Sequence, residues 1–100
     1  MKMEVLKYTD IISVTSEGIT FANHNPIIFS ECIREKKGSR CIAERNINAS
    51  PAYFDFYPLG ILTRIVFDKR GLFSASRNRK AFLHLQRMIL SYGYTTYDLS

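Results

Sequence analysis

The sequence predicts a small α+β domain, with an antiparallel sheet of about five strands and two helices on one face, in the order β-β-α-β-β-β-α. Three observations favour this class. The chain has 100 residues, of which 46% are hydrophobic and 13% aromatic, enough to bury one core without disulfides or a metal. Segments with strand-like alternation are interleaved with two segments that carry helix signals. Repeats and low-complexity segments are absent, so we expect residues 1–100 to form a single domain.

A hairpin and then a helix are predicted in the first part of the chain. Residues 11–23 place β-branched and aromatic side chains on both sides of a turn at residues 16–18, which is typical of two paired strands. The next segment has Asn25 as a candidate cap, Pro26 at the first helical position and Gly38 as a stop. These signals together predict the first helix.

Three further strands and a second hairpin are predicted in the middle of the chain. Residues 41–47 and 52–57 are both β-prone, and prolines on either side of the second segment indicate a strand at a sheet edge. Apolar residues then alternate over residues 61–67, and a glycine-containing turn follows at residues 68–71. We therefore expect residues 61–76 to form a hairpin with its basic turn projecting from the tip.

The last helix is predicted from an apolar stripe at helical spacing. Ser76 and Asn78 are both suited to cap its start, and Gly93 is suited to end it. The tail after Gly93 is β-prone, so it either adds a final strand or packs over the helix. The stripe consists of Ala81, Leu85, Met88, Ile89 and Tyr92.

The net charge of +5 is concentrated in one part of the chain. Residues 1–60 contain seven cations and seven acids, which cancel, whereas residues 61–90 contain seven cations and a single acid, Asp68. The excess positive charge therefore belongs to the predicted 61–76 hairpin and the last helix. The seven cations are Arg64, Lys69, Arg70, Arg77, Arg79, Lys80 and Arg87.

Three of these cations, Arg77, Arg79 and Lys80, lie where the last helix is predicted to begin. The free N–H groups at that end carry partial positive charge, so cations are unfavourable there unless an anion is nearby. A phosphate would accept hydrogen bonds from the backbone and from arginine together. We therefore predict that the seven cations form a polyanion-binding surface and that the chain is a non-enzymatic regulatory protein that binds nucleic acid. The alternative at this point is an ordinary solvated basic face.

The block from Asn25 to Gly93 has the predicted order α-β-β-β-α, and cations open its last helix. In this layout it resembles a double-stranded-RNA-binding domain over roughly two thirds of the chain. The resemblance implies that the start of the last helix follows phosphates across the groove of an RNA duplex.

A second function class is a protein-binding adaptor or inhibitor. Such a protein would dock on an acidic partner through the same cations, or through an open sheet edge at residues 52–57, and that edge would also allow homo-oligomers. The aromatic residues of this strand are either core residues or a stacking surface for single-stranded nucleic acid. Core packing is favoured because one face of the strand must be buried. The aromatic residues are Tyr53, Phe54, Phe56 and Tyr57.

Neither a catalytic site nor a metal site is predicted. His24 and His84, with cations nearby in the sequence, are compatible with a small ribonuclease, but no motif connects them. Cys32 and Cys41 lack the short paired spacings of structural zinc sites and are interpreted as two buried thiols. We expect no metal, no cofactor and no enzymatic activity.

Targeting signals are not recognised in the sequence. The first residues lack the apolar run of a signal peptide, and no segment has the uninterrupted apolar length of a membrane span. The expectation is a soluble cytoplasmic protein that does not bind membranes.

Overall fold

The structure is a computed structural model that describes residues 3–100. Over these residues the chain forms ten β-strands and one α-helix, α1 (Ser74–Ser91). Short 3₁₀ turns at Tyr8–Asp10, Phe29–Glu31 and Pro58–Gly60 connect some of the strands. The strands are β1 (Glu4–Lys7), β2 (Ile11–Thr15), β3 (Gly18–Phe21), β4 (Ile27–Ile28), β5 (Arg34–Lys36), β6 (Ser39–Cys41), β7 (Ala43–Asn46), β8 (Ala52–Phe56), β9 (Thr63–Phe67) and β10 (Thr96–Asp98).

The main sheet has five strands in the spatial order β1-β9-β8-β7-β10. Its centre is the antiparallel meander of β7, β8 and β9, whereas the edge strands β1 and β10 run parallel to their neighbours. The other five strands form two smaller sheets, β2-β3-β4 and β5-β6. The α+β class is confirmed. The prediction of one purely antiparallel sheet is wrong, because the two ends of the chain return to form parallel edges.

The core lies between one face of the main sheet, here called the inner face, and a layer made of α1 and the β2-β3-β4 sheet. Phe54 and Phe56 of β8 are fully buried there, which confirms that these two aromatics are core residues. The ring centroids of Phe54 and Phe82 of α1 are 4.6 Å apart. Phe29, which follows β4, packs on Phe56 with the centroids 6.2 Å apart. Alternation along β8 places Tyr53 on the opposite, outer face.

The predicted hairpin at residues 11–23 is confirmed as β2 and β3. Strand β4 then pairs with β3 instead of entering a helix. Gly18 permits this pairing, because a Cβ at that position would lie 2.0 Å from the carbonyl oxygen of Ile27. The close approach of these two strands therefore requires glycine.

The first predicted helix, from Asn25 to Gly38, is wrong. Its residues form β4, a 3₁₀ turn and β5, and the turn at Lys37 and Gly38 joins β5 to β6. Both turn residues have positive φ, 49° and 80°, which matches the two-residue turns typical of β-hairpins. Gly38 is therefore a hairpin residue and not a helix stop. Pairing of apolar residues with the free edge of β3 outweighed the local capping signals.

Only the first strand of the predicted 61–76 hairpin is formed, as β9, and the prediction of a second strand is wrong. Strand β9 is already paired with β8 on one side and β1 on the other, so a following strand has no edge to join. Residues after Phe67 instead make a loop and enter α1 at Ser74. The helix thus begins earlier than Ser76 or Asn78, and neither caps it; Phe73 occupies the cap position without a side-chain hydrogen bond.

The strand at residues 52–57 is not a sheet edge. It corresponds to β8, which is paired with β7 and β9 along its length. The predicted docking of a partner at this strand, and homo-oligomerisation through it, would need an open edge that β8 does not have. The α-β-β-β-α layout of a double-stranded-RNA-binding domain is likewise not formed, because the first helix is absent from the described residues.

The apolar stripe of the last helix is confirmed in its packing. Phe82, Leu85 and Ile89 are buried against the inner face of the sheet, with Ala81 and Tyr92 partly buried beside them. The β-prone tail forms β10, which adds a strand to the sheet next to β7.

Candidate anion-binding site

A cleft of about 510 Å³ lies at the N-terminal end of α1. One wall is the loop between β7 and β8, and the other consists of the 68–70 loop and the first turns of α1. Three of the seven predicted cations line this cleft, and Asp68 is the only acid among the described residues that line it, so these residues give the cleft a net charge of +2. The three cations are Lys69, Arg70 and Arg79.

Asn78 holds the 68–70 loop against the helix. Its Nδ2 donates a hydrogen bond to the carbonyl oxygen of Lys69 at 3.1 Å, and its Oδ1 accepts one from the hydroxyl of Tyr8 at 2.7 Å. Tyr8 in turn stacks on Phe67 at the end of β9, with ring centroids 5.0 Å apart. The cationic wall of the cleft is therefore attached to the core by ordered contacts.

The opposite wall is shaped by Asn46 at the end of β7. Its Oδ1 accepts hydrogen bonds at 3.0 Å from the backbone N–H groups of both Asn48 and Ala49. Such side-chain contacts turn the chain and stand in for backbone pairing in a loop. The loop then leads through Ser50 and Pro51 into β8, and these two residues also line the cleft.

The remaining cations of α1 project in other directions. Residues two positions apart on a helix are separated by about 200°, so Arg77 and Arg79 lie on opposite flanks of α1. Arg77 approaches Tyr8: burial raises the pKa of the Tyr8 hydroxyl, and the positive charge of Arg77 opposes that rise. Lys80 and Arg87 line a shallow groove farther along the helix, together with His84. The cations of α1 are thus spread over the flanks and the exposed side of the helix, away from its buried face.

The cations around the cleft and the helix share one electrostatic property. Within residues 3–100, none of their side-chain nitrogens lies within 4.0 Å of a carboxylate oxygen. Their charge is therefore not neutralised by direct ion pairing in the described part of the chain. These six cations, which we call the helix cations, are Lys69, Arg70, Arg77, Arg79, Lys80 and Arg87.

Arg64 differs from the helix cations in both position and partners. It lies on the outer face of the main sheet, where Nε donates to Asp55 Oδ1 at 2.8 Å and an Nη atom donates to Oδ2 at 3.0 Å. Its guanidinium also stacks on the ring of Tyr53, 3.7 Å from the centroid. The hydrogen bonds to Asp55 raise the pKa of Arg64. The structure therefore does not bring Arg64 together with the other predicted site residues.

A second buried acid lies beside this pair on the outer face. Glu44 of β7 is directly opposite Asp55 in the sheet register, and its carboxylate contacts Lys36 Nζ at 3.2 Å. Arg34 covers the neighbouring ring of Tyr57, 3.8 Å from its centroid. Burial raises the pKa of Tyr57, and the charges of the two acids add to that effect. Each of the two buried acids on the outer face thus contacts its own cation: Asp55 contacts Arg64, and Glu44 contacts Lys36.

The two cysteines are buried and free, as predicted. Burial raises the pKa of the Cys32 thiol to about 12, so it remains protonated at neutral pH.

The two histidines lie in different parts of the structure. His24 contacts the carboxylate of Glu4 through Nε2 and the carbonyl oxygen of Asn25 through Nδ1. His84 belongs to the shallow groove on α1.

Sequence reasoning missed two contributors to the site, the loop at residues 47–51 and the pair of Tyr8 and Asn78, and it also missed the exposure of the apolar residues that precede α1. Leu72 and Phe73 are 82% and 72% exposed, although both are large and apolar. Asn48 is followed by two small residues and a proline, a pattern that signals a loop at residues 48–51. Nothing local in the sequence distinguishes an exposed phenylalanine from a buried one.

Comparisons of the chain with protein-family models, with curated protein sequences and with solved structures give no significant match. The function is therefore inferred from the residues themselves. Among the described residues, no helix combines the length and apolar character needed to cross a membrane.

Proposed function

We propose that this protein is a non-enzymatic, regulatory nucleic-acid-binding protein that holds the phosphate backbone in the cleft at the start of α1. The observation that carries the proposal is the set of helix cations, which have no direct acidic partner among residues 3–100. Cations left unpaired around a concave surface attract a polyanion and lose little on binding it, because no internal ion pair must be broken.

The geometry supports a phosphate ligand in particular. Arg79 and Arg70 offer planar guanidinium groups that bind phosphate oxygens through two hydrogen bonds, and Lys69 adds a point charge. The cleft volume of about 510 Å³ is in the range of pockets that hold small molecules, so it has room for a nucleotide unit together with its phosphate. Arg77, Lys80 and Arg87 would extend the positive field along the helix for phosphates on either side.

The test is a salt titration of binding. Fluorescence anisotropy with labelled 12-nucleotide single strands and 12-base-pair duplexes, of both DNA and RNA, gives Kd between 50 and 200 mM salt. The logarithm of affinity should fall linearly with the logarithm of salt concentration, because each phosphate contact releases counterions. Kd values that barely change across this range would contradict the proposal.

Two charge-matched variants identify the surface. Lys69→Ala/Arg79→Ala removes two cations of the cleft, whereas Lys37→Ala/Arg40→Ala removes two exposed cations near the β5–β6 turn, which contributes nothing to the cleft. The first variant should weaken binding and reduce the salt slope by roughly 0.7 for each lost contact to a single strand. Equal losses in both variants would indicate a net-charge effect without a site.

The rival function, docking on an acidic protein, is decided by the same assay. A wild-type protein that binds none of the nucleic acids but binds an acidic polypeptide such as poly-glutamate, with loss in Lys69→Ala/Arg79→Ala, would replace the proposed function with the protein-binding one.

A further inference from the structure

An exposed phenylalanine, Phe73, lies in the chain between the cations of the 68–70 loop and the start of α1. Phe73 is 72% exposed and Leu72 is 82% exposed. Lys69 and Arg70, which line the cleft, precede them, and Ser74 and Ala75, which also line it, follow directly. The two apolar residues therefore lie in the chain directly between residues that line the basic cleft.

The backbone beneath Phe73 is ordered by hydrogen bonds. Its carbonyl oxygen accepts from the N–H of Arg77 at 3.2 Å, and the N–H of Ser74 donates to the carbonyl oxygen of Gly71 at the same distance. The ring has only two side-chain torsions to restrict when a ligand covers it. Burying it against a flat partner therefore removes apolar surface from water at a small entropic cost.

We propose that Phe73 is a base-stacking residue and that the ligand of the cleft is single-stranded nucleic acid. This inference rests on the proposed function and adds the class of nucleic acid to it. Proteins that bind single strands combine a cationic groove for the backbone with aromatic side chains on which bases stack. In a duplex both faces of each base are covered by neighbouring base pairs, so an aromatic ring on a protein surface finds a free base face only on an unpaired strand.

Charge complementarity favours this occupant over a lipid surface. A loop that inserts into an anionic membrane needs its cations at one depth around the apolar tip. Here the helix cations continue from Lys69 to Arg87, along more than two turns of α1 and on both of its flanks. A strand that runs from the cleft along the exposed side of the helix would meet Arg79, Lys80 and Arg87 in succession.

The chain offers a matched control for Phe73. Leu59, in the turn between β8 and β9, is also a large apolar side chain, is 77% exposed and has positive φ, as Phe73 has. It lies beyond the end of β8 that is opposite the cleft, because Ala52 at the other end of the strand lines the cleft. Leu59 therefore matches Phe73 in exposure and backbone but lies away from the cleft.

The experiment uses tryptophan as a reporter, because the natural chain has none. Phe73→Trp and Leu59→Trp are each titrated with dT12 and rU12, with a 12-nucleotide abasic strand that has the phosphates without the bases, and with a 12-base-pair duplex. The oligothymidine and oligouridine strands should quench the emission of Phe73→Trp, while the abasic strand and the duplex should quench it much less. Leu59→Trp should respond to none of them.

Affinity provides a second readout. Phe73→Ala should bind dT12 about 5- to 150-fold more weakly than the wild type, the range for losing one stacked base, and should bind the abasic strand as the wild type does. Phe73→Leu, which keeps an apolar side chain without the ring, should resemble Phe73→Ala. Leu59→Ala should bind dT12 unchanged.

The opposite results separate the failure of this inference from failure of the proposed function. Salt-sensitive binding that is equal for dT12 and the abasic strand, or tighter for the duplex, and that is unaffected by Phe73→Ala would overturn stacking while leaving phosphate binding intact. Absence of binding by the wild type to every nucleic acid would reject both. A blue shift of Phe73→Trp on phosphatidylserine vesicles, without a response to oligonucleotides, would replace the single strand by a lipid surface.

Discussion

Arg64 and Arg79 belong to the same basic segment of the sequence but have opposite environments in the fold. Arg64 is held by two hydrogen bonds to Asp55, which is 3% exposed, and by the ring of Tyr53. Arg79 lines an open cleft, and no carboxylate lies within 4.0 Å of it in residues 3–100. The positive charge is therefore paired with an acid in one place and has no direct acidic partner among residues 3–100 in the other. What separates the two environments is the presence of a buried acid beneath the cation.

The largest expected effect is the loss of stability in Arg64→Ala. The substitution leaves the buried carboxylate of Asp55 without its partner, which should reduce the free energy of unfolding by about 3 kcal/mol. Urea denaturation followed by circular dichroism measures this change. A decrease of less than about 0.5 kcal/mol would contradict the assignment of Arg64 as a structural cation.

The double variant Asp55→Asn/Arg64→Ala serves as the control for this prediction. It removes the buried charge together with its partner, so it should be more stable than Arg64→Ala alone. Without such a recovery, the loss in the single variant would come from the packing of Arg64 on Tyr53 rather than from the ion pair.

An intermediate effect is expected from pH, through the buried thiol of Cys32. The folded-state pKa of its thiol is about 12, above the ordinary value of 9.0. Because the folded state disfavours the thiolate, stability is fully present below pH 9 and falls as the pH rises from 9 towards 12. Between pH 8 and 10.5 the free energy of unfolding should fall by on the order of 1–2 kcal/mol from this group.

Urea midpoints across this pH range for the wild type and Cys32→Ala check the effect. The alanine variant leaves a cavity and is less stable at pH 8, but its stability should decline less steeply above pH 9. Parallel pH curves for the two proteins would show that Cys32 does not carry the dependence.

The smallest stability effect is expected at the helix cations. Arg79→Ala should change the free energy of unfolding by no more than about 0.5 kcal/mol, because it breaks no ion pair in the described residues. The same variant should weaken oligonucleotide binding, whereas Arg64→Ala, measured where it remains folded, should not. If Arg79→Ala destabilised the fold as much as Arg64→Ala, the division of the cations into structural and binding groups would fail.

Prediction from the sequence succeeded where one local signal was sufficient. The hairpin at residues 11–23 has a turn flanked by β-branched residues. The stripe from Ala81 to Tyr92 has helical spacing, and it packs against the core as that spacing predicts. The sequence predicted one surface of seven cations, whereas three of them line a cleft in the structure. Lys69, Arg70 and Arg79 meet there, but Arg64 was assigned to the same surface because sequence proximity does not reveal on which face of a sheet a residue lies.

The wrong elements failed for a common reason. Residues 25–38 carry a candidate cap, a proline and a glycine at the positions expected for a helix. Ile27 and Ile28 nevertheless form a strand that pairs with the free edge of β3. Residues 72–76 were expected to return as a strand, yet β9 already had neighbours on both sides. In both places the outcome depended on which sheet edges were open, and a sheet edge is created by residues distant in the chain.

By itself the sequence determined the α+β class, the amphipathic last helix, the burial of both cysteines and the concentration of positive charge between residues 61 and 90. These properties follow from composition and short-range periodicity. The tertiary structure alone decided that Arg64 lies over a buried acid, that the helix cations lack a direct acidic partner among residues 3–100, and that Phe73 is exposed. Pairing and exposure depend on what long-range contacts bring beside each side chain, which local patterns do not encode.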